Sequence, residues 1–419
     1  MAVEPKIDEK RKDFLRAQCE VVPDIERGIY PFRTAEGSIK LHREDIEWLL
    51  YEHGHIEWSN PEQRDKVGLD LRGADLSEES LCGLPLARIL AGVWENVSEE
   101  QQRLGAVNLS NADLRHVHLE GATLVHANLQ GANLAEAHLE GADCRAADLS
   151  YVKLRHAHLG GMTLQHAKLK RAQLMHVHLE RANLRSADLA GANLHLTTMD
   201  RLTRLDDVTL AHKDGLAAEV ADTRWGDVNL AVVKWDNVKQ LGDERIARKL
   251  QEPNTEERET VIEGAESQTS RYADAIRANR QLATVLRSQG LNDIADHFAY
   301  RSLVLRRDQS QFFRAIGSWI LCAISGYGYK PWRSALTYLG IVGGFSCIYW
   351  LLRESVHPAL NPIDVIVFSI TSFHGRGFSP GEAVTLHNPL TIVAALEAIV
   401  GLLIEITFIA TFTQRFFAR

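Results

Sequence analysis

Residues 122–149 read ATLVH ANLQG ANLAE AHLEG ADCRA ADL, and this five-residue step decides the fold of the middle of the chain. Stepping by five from Leu109 to Leu194 gives eighteen positions, of which seventeen are leucine and one is Cys144. Two residues before each stands a small or medium apolar residue: thirteen alanines, four valines and Met162. A period of five matches neither the 3.6 of a helix nor the 2 of a flat strand. It fits a coil with four faces, one pentad to a face, with leucine and the preceding alanine pointing inward. Four side chains share a narrow axis at each level, so the second inward residue has to be small. Stacked coils cover one another's backbone hydrogen bonds and need a cap at each end.

Working outward, Leu71, Leu76, Leu81 and Leu86 keep the step before an insertion near 87–103. After a slip near Arg201 it resumes through Leu205, Leu210, Val220, Trp225, Leu230 and Trp235. Residues 1–66 are expected to cap one end of the rod, and the Trp225 and Trp235 coils to close the other. His118, His138, His158 and His178 are twenty residues apart, one coil each, and should form a vertical ladder. His116, His156 and His176 make a second column, interrupted by Glu136. Three readings of the ladder stand side by side. It is a solvated face, a pH-sensing face, or a metal site. HxH spacing without a cysteine falls short of a metal signature, so no metal is assigned.

The chain has 419 residues, with 47 basic against 55 acidic side chains and a formal charge of −8, which disfavours a basic nucleic-acid binder. Five scattered cysteines without CxxC spacing argue against a disulfide framework or a zinc knuckle. The hydrophilic N-terminus has no apolar signal segment. The apolar residues are segregated toward the C-terminus. Residues 334–352 carry no charge, and Pro389–Thr413 carries only Glu397 and Glu405. Each run is long enough to cross about 30 Å of hydrocarbon, with expected spans of about 334–353 and 389–413.

Residues 241–258 read as a linker and 259–308 as a helical hairpin, Glu259–Gln289 then Asp293–Arg307, with Gly290 ending the first helix. Residues 309–329 hold a short apolar helix suited to an interface, and 330–419 the two spans. Arg306, Arg307, Arg314, Lys330 and Arg333 precede the first span, whereas the loop between the spans is poor in basic residues. The positive-inside rule therefore puts both ends of the chain in the cytoplasm, at the inner membrane. Between the spans, residues 362–372 are too short to cross and too apolar for an exposed loop. An apolar re-entrant segment survives where protein buries it or where it lines water.

The pentad resembles the pentapeptide-repeat family, which implies a right-handed quadrilateral β-helix. Span, short apolar helix, glycine-bearing segment and span resemble the two-transmembrane pore module of potassium-channel-like proteins. The stretches 325–332 and 396–401 are similar to bacterial channels that carry pentapeptide repeats. Together the resemblances imply a multidomain membrane protein: a β-helix, a helical hairpin and an all-α two-span pore module with a re-entrant pore loop at about 362–380. The implied function is passive ion conduction by a homotetramer in a lipid bilayer, with no cofactor and no nucleic acid. A membrane-anchored scaffold without conduction is the alternative.

The resemblance assigns Ser372, Phe373, His374, Gly375, Arg376, Gly377 and Phe378 to the filter. Gly401 falls in the channel-like inner stretch, and because a carboxylate within a span should face protein or water, Glu405 is expected to border the inner pore and Glu397 to support the pore helix. The family's threonine, tyrosine and following acid are absent here, so potassium selectivity does not carry over and the permeant inorganic ion stays open. Four copies of Arg376 facing the path would favour anions. Turned away, Arg376 would pair with Glu397 or Asp364 and leave carbonyls, His374 or Ser372 along the path. Some soluble members of the repeat family imitate DNA with an acidic surface, which this mixed surface lacks. No enzyme is expected. Gly377-Phe-Ser-Pro-Gly381 matches the G-x-S-x-G elbow, but Pro380 has no N–H to offer an oxyanion hole.

Overall fold

The computed structural model describes residues 5–54, 67–93, 98–249, 268–309, 312–353, 361–375 and 389–417. Two compact units divide the chain, 1–298 and 299–419.

In the first unit the pentads build a four-faced coil. Parallel bridges run in four columns at a step of twenty, as in Asn108, Asn128, Asp148, Lys168 and Asp188. Each face bonds to the coil above and the coil below: Leu129 N–H donates to the Asp148 carbonyl at 2.8 Å and Asn128 N–H to the Val107 carbonyl at 3.1 Å. From Val107 to Leu194 each inward leucine, with Cys144, and each preceding small residue is at most 2% exposed. The residue two beyond each leucine turns the corner in the left-handed region, whether it is Gly141 (φ 68°), His116 (55°), Glu136 (58°) or Ala146 (55°).

Irregular segments fit around this ladder. Helix α1 (Glu9–Cys19), the two-residue strands β1 (Arg33–Thr34) and β2 (Gly37–Ser38), and α2 (Arg43–His53) form the N-terminal cap. Lys40 bridges to Asp75 of the first coil, and Tyr30, Phe32, Leu41 and Trp48 are buried. The insertion begins later than residue 87. Leu90 still bridges Thr123, and Ala91 and Val93 are buried, so the extra chain follows them and carries α3 (Glu99–Gly105). The step between bridged residues lengthens there to thirty-three, as from Asp75 to Asn108. The slip near Arg201 adds one residue, with Asn183 bridging Arg204, and an excursion at His212–Leu216 lengthens the next step.

The other end closes differently from the sequence-based expectation. Residues 242–249 are not linker but helix α4 (Gly242–Lys249), because Asp243 accepts from the N–H groups of Val220 (2.8 Å) and Ala221 (3.1 Å) and seats it on the last coils. Helix α5 (Gln268–Ser288) completes the cap. Gln281 accepts from Asp222 N–H, and the side chain of Gln289, just beyond the helix, accepts from Leu230 N–H and donates to the Val228 carbonyl. The start expected at residue 259 lies outside the described residues. Helix α6 (Asn292–Asp308) follows the turn at Gly290, and the division between units falls within it rather than at 308. Phe298 meets Trp235 edge-on on one side of that division, while Tyr300 packs against Tyr327 and Tyr329 on the other.

The second unit is helical: α7 (Phe312–Ser325), α8 (Pro331–Leu351), α9 (Pro362–Phe373) and α10 (Pro389–Phe417). Two of its helices, over Trp332–Leu351 and Pro389–Ile409, are long and apolar enough to cross a membrane. Helix α9 begins with Asn361 as its cap, Pro362 in the first turn and Asp364 completing a capping box, a start written in the sequence. It packs on both long helices. Val365 and Phe368 meet Tyr349 and Leu390 near its start, and Phe373 meets Val342 and Ile404 at its end.

Candidate functional site

Two constellations stand out. On the rod, backbone bridges set His118, His138 and His158 directly above one another. Their rings stack at 4.8 Å between centroids, within 5° of parallel, while His178 follows more loosely at 5.8 Å and 18°. Carboxylates that the sequence reading passed over stand beside the ladder. His118 Nδ1 donates to Glu120 Oε1 at 2.8 Å, and Glu140 Oε1 lies 3.6 Å from His138 Nδ1 and 4.0 Å from His158 Nδ1. Glu180 is engaged elsewhere as well, accepting from Thr198 Oγ1 at 2.5 Å. In the second column His156 and His176 stack at 4.7 Å, and burial with the charges of His156 and His195 lowers the His176 pKa.

The second constellation surrounds α9. Glu397 is fully buried, accepting from Tyr349 Oη at 2.5 Å and from Ser369 Oγ at 2.5 Å. One carboxyl group thus ties α8, α9 and α10 together. One turn further along α9, Phe373 presses against α10 where Gly401 stands. A Cβ at Gly401 would sit 2.0 Å from the Phe373 carbonyl oxygen, so only glycine admits this approach. His374 Nδ1 donates to Glu405, and its Nε2 lies 3.5 Å from Tyr338 Oη. Ser372 and Phe373 are buried, and Gly375 ends the helix at φ 65°. Arg376, Gly377 and Phe378 lie outside the described residues. The structure thus brings Phe373 and His374 together with Gly401 and Glu405, and it shows Tyr349 as a partner that hydropathy alone did not single out.

Comparison with known proteins bears on the first constellation. The family of pentapeptide repeats matches residues 103–141, 142–181 and 176–201, in eight copies. A solved pentapeptide repeat protein, alr5209 from Nostoc PCC 7120, is 33% identical over 23% of this chain and 72% of its own (TM-score 0.10). The chain belongs to the pentapeptide-repeat proteins. Rfr23 from the cyanobacterium Cyanothece 51142 is 24% identical over 33% of this chain and 91% of its own (TM-score 0.20). HetL from Nostoc sp. strain PCC 7120, a protein involved in heterocyst differentiation regulation, is 20% identical over 46% and 94% (TM-score 0.21). No curated protein matches the chain.

The repeats of this pentapeptide-repeat protein imply the right-handed quadrilateral β-helix, and its four bridge columns are the four sides. The family match covers the central coils of the rod, residues 103–201, and leaves the C-terminal helices to their own geometry. Glu120 and Glu140 were findable in the sequence, since each follows a ladder histidine by two residues and the pair is one coil apart.

Proposed function

We propose that this pentapeptide-repeat protein is the subunit of a passive ion channel, assembled as a homotetramer in the cytoplasmic membrane. The observation that carries the reading is the course of α9. Twelve residues give it about 18 Å, too short to cross, yet both long helices hold it from start to end. Its contacts on α10 run from Leu390 to Glu405, about 22 Å of that helix, so α9 enters beside the spans and stops among them. A segment that dips in and must return between two spans is the re-entrant geometry of a pore. Protein buries one of its faces, as an apolar re-entrant helix requires.

Three further features support the reading. Trp332 and Trp350 are exposed on α8 about 27 Å apart, as interfacial anchors would be. Ile363, Ile366, Val367 and Ile370 leave an apolar stripe of α9 uncovered, and Leu396, Ile399, Leu403 and Ile406 do the same on α10. Neighbouring subunits and lipid would cover these faces, and two spans need such neighbours to enclose a path. Basic residues before the first long apolar helix support a cytoplasmic side for both ends of the chain under the positive-inside rule. The rod would then act on gating from that side.

The test is reconstitution of the full chain into liposomes with an ion-flux assay, beside cross-linking to count subunits. Flux and a four-subunit product are expected, with flux lost in Gly401→Ala because the added methyl displaces α9. A monomer in impermeable liposomes would overturn the proposal.

A further inference from the structure

The histidine ladder carries an inference that stands apart from conduction. We propose that this face of the rod binds one divalent transition-metal ion of the zinc kind, with His138 as its central ligand. Two triads share that residue, His118–Glu120–His138 and His138–Glu140–His158, and within each the donor atoms lie no more than 4.8 Å apart. Two imidazole nitrogens and a carboxylate oxygen suit zinc and its first-row neighbours better than magnesium or calcium. Zinc sits about 2.0–2.2 Å from such donors, which sets them roughly 3.3–3.5 Å from one another, so two neighbouring rings must rotate out of their parallel stack to aim both lone pairs at one ion, leaving a fourth position to water.

The acids point the same way. Glu120 is 5% exposed, yet its Oε2 has no hydrogen-bond partner among the described residues, and Glu140 Oε2 is likewise buried and unpartnered. A buried carboxylate oxygen without a donor calls for a cation. The backbone cooperates, since the bridges from His118 to His138 and from His138 to His158 fix three rungs at coil spacing before any ion arrives. The neighbouring rungs lack these features. Gly160 stands where an acid would serve His158 and His178, and Glu180 already accepts from Thr198. The ion would clamp adjacent coils together. Because His138 belongs to both triads, occupancy of one excludes the other.

Equilibrium dialysis of the detergent-solubilised full chain against zinc tests this, with cobalt substituted for its visible spectrum. One zinc per chain and the intense bands of four-coordinate cobalt are expected. His138→Gln should weaken binding by at least about tenfold, since losing a ligand costs no less than losing its support. His176→Gln, which removes a stacked ring outside both triads, should leave binding unchanged. The double variant Glu120→Gln, Glu140→Gln should match His138→Gln while circular dichroism shows the rod intact. Absence of micromolar binding, or binding indifferent to both His138→Gln and the double variant, overturns the site.

Discussion

Gly141 turns a corner of the rod at φ 68°, and nothing lies within 4 Å of the place where a Cβ would sit. A methyl added there meets no neighbour, so the cost of a side chain is that of the left-handed backbone alone, about 1 kcal/mol. Gly141→Ala should therefore lower stability by about 1 kcal/mol in urea unfolding, and a loss of several kcal/mol would show that packing matters there after all. His116, Glu136, Ala146 and His156 are tolerated at equivalent corners because they accept a modest backbone strain in a stack whose hydrogen bonds fix the corner. From Val107 to Leu194 the leucine of each pentad and the small residue two before it announce the interior because every residue at those two positions is buried. The corner varies from glycine to histidine, asparagine, arginine, glutamate, alanine, tyrosine, serine and leucine, so its left-handed geometry leaves no uniform sequence mark. Gly401 is the contrasting case, where contact with the Phe373 carbonyl and not φ demands glycine.

The rod's C-terminal cap shows what one element contributes and why it was illegible. Helix α4 has no repeat to announce it, and its seat depends on Asp243 reaching backbone N–H groups more than twenty residues back, a contact that no local pattern encodes. The two long apolar helices, the short helix α9 and the pentads were legible because each is a run of regular period or of sustained apolarity. Burial pushes the Asp243 carboxyl up to about 6, against the pull of the Val220 and Ala221 N–H groups. Burial, then the nearby charge of Asp243, pushes Glu219 up to about 8. Both folded values lie above the ordinary ones, so the folded cap holds protons that an unfolded chain releases. The associated stability is fully present below about pH 4 and is lost as pH rises through about 6 and then about 8. The protein should accordingly unfold at lower urea at pH 8 than at pH 5. Glu219→Gln should flatten the upper part of that dependence and raise stability at pH 8 by roughly 1 kcal/mol or more. An unchanged slope in Glu219→Gln would remove this residue from the account.

At the scale of the proposed tetramer, the sign of the conducted ion would turn on what four copies of α9 bring together. A helix carries about half a negative charge at its C-terminus, where the last carbonyls lack donors. In α9 that end is Phe373, with Glu405 bonded to His374 just beyond it. Fourfold assembly would gather four such ends and four Glu405 carboxyl groups around one axis, a field that attracts cations. Arg376 opposes it, since its guanidinium stays charged at any working pH. An exposed guanidinium on the path would override the dipoles, whereas one turned behind the filter would not. Helix α9 buries Ser369 and Phe373 against α8 and α10; in the proposed tetramer its carbonyl end, rather than a side chain, would lead into the path. On that proposal the pore would select cations. Under a potassium chloride gradient the reversal potential should move toward the potassium equilibrium value, and Arg376→Gln should leave its sign unchanged. Glu405→Gln should lower single-channel conductance without inverting the reversal. Movement toward the chloride value, abolished by Arg376→Gln, would instead establish a ring of arginines as the selecting element and place those side chains on the ion path.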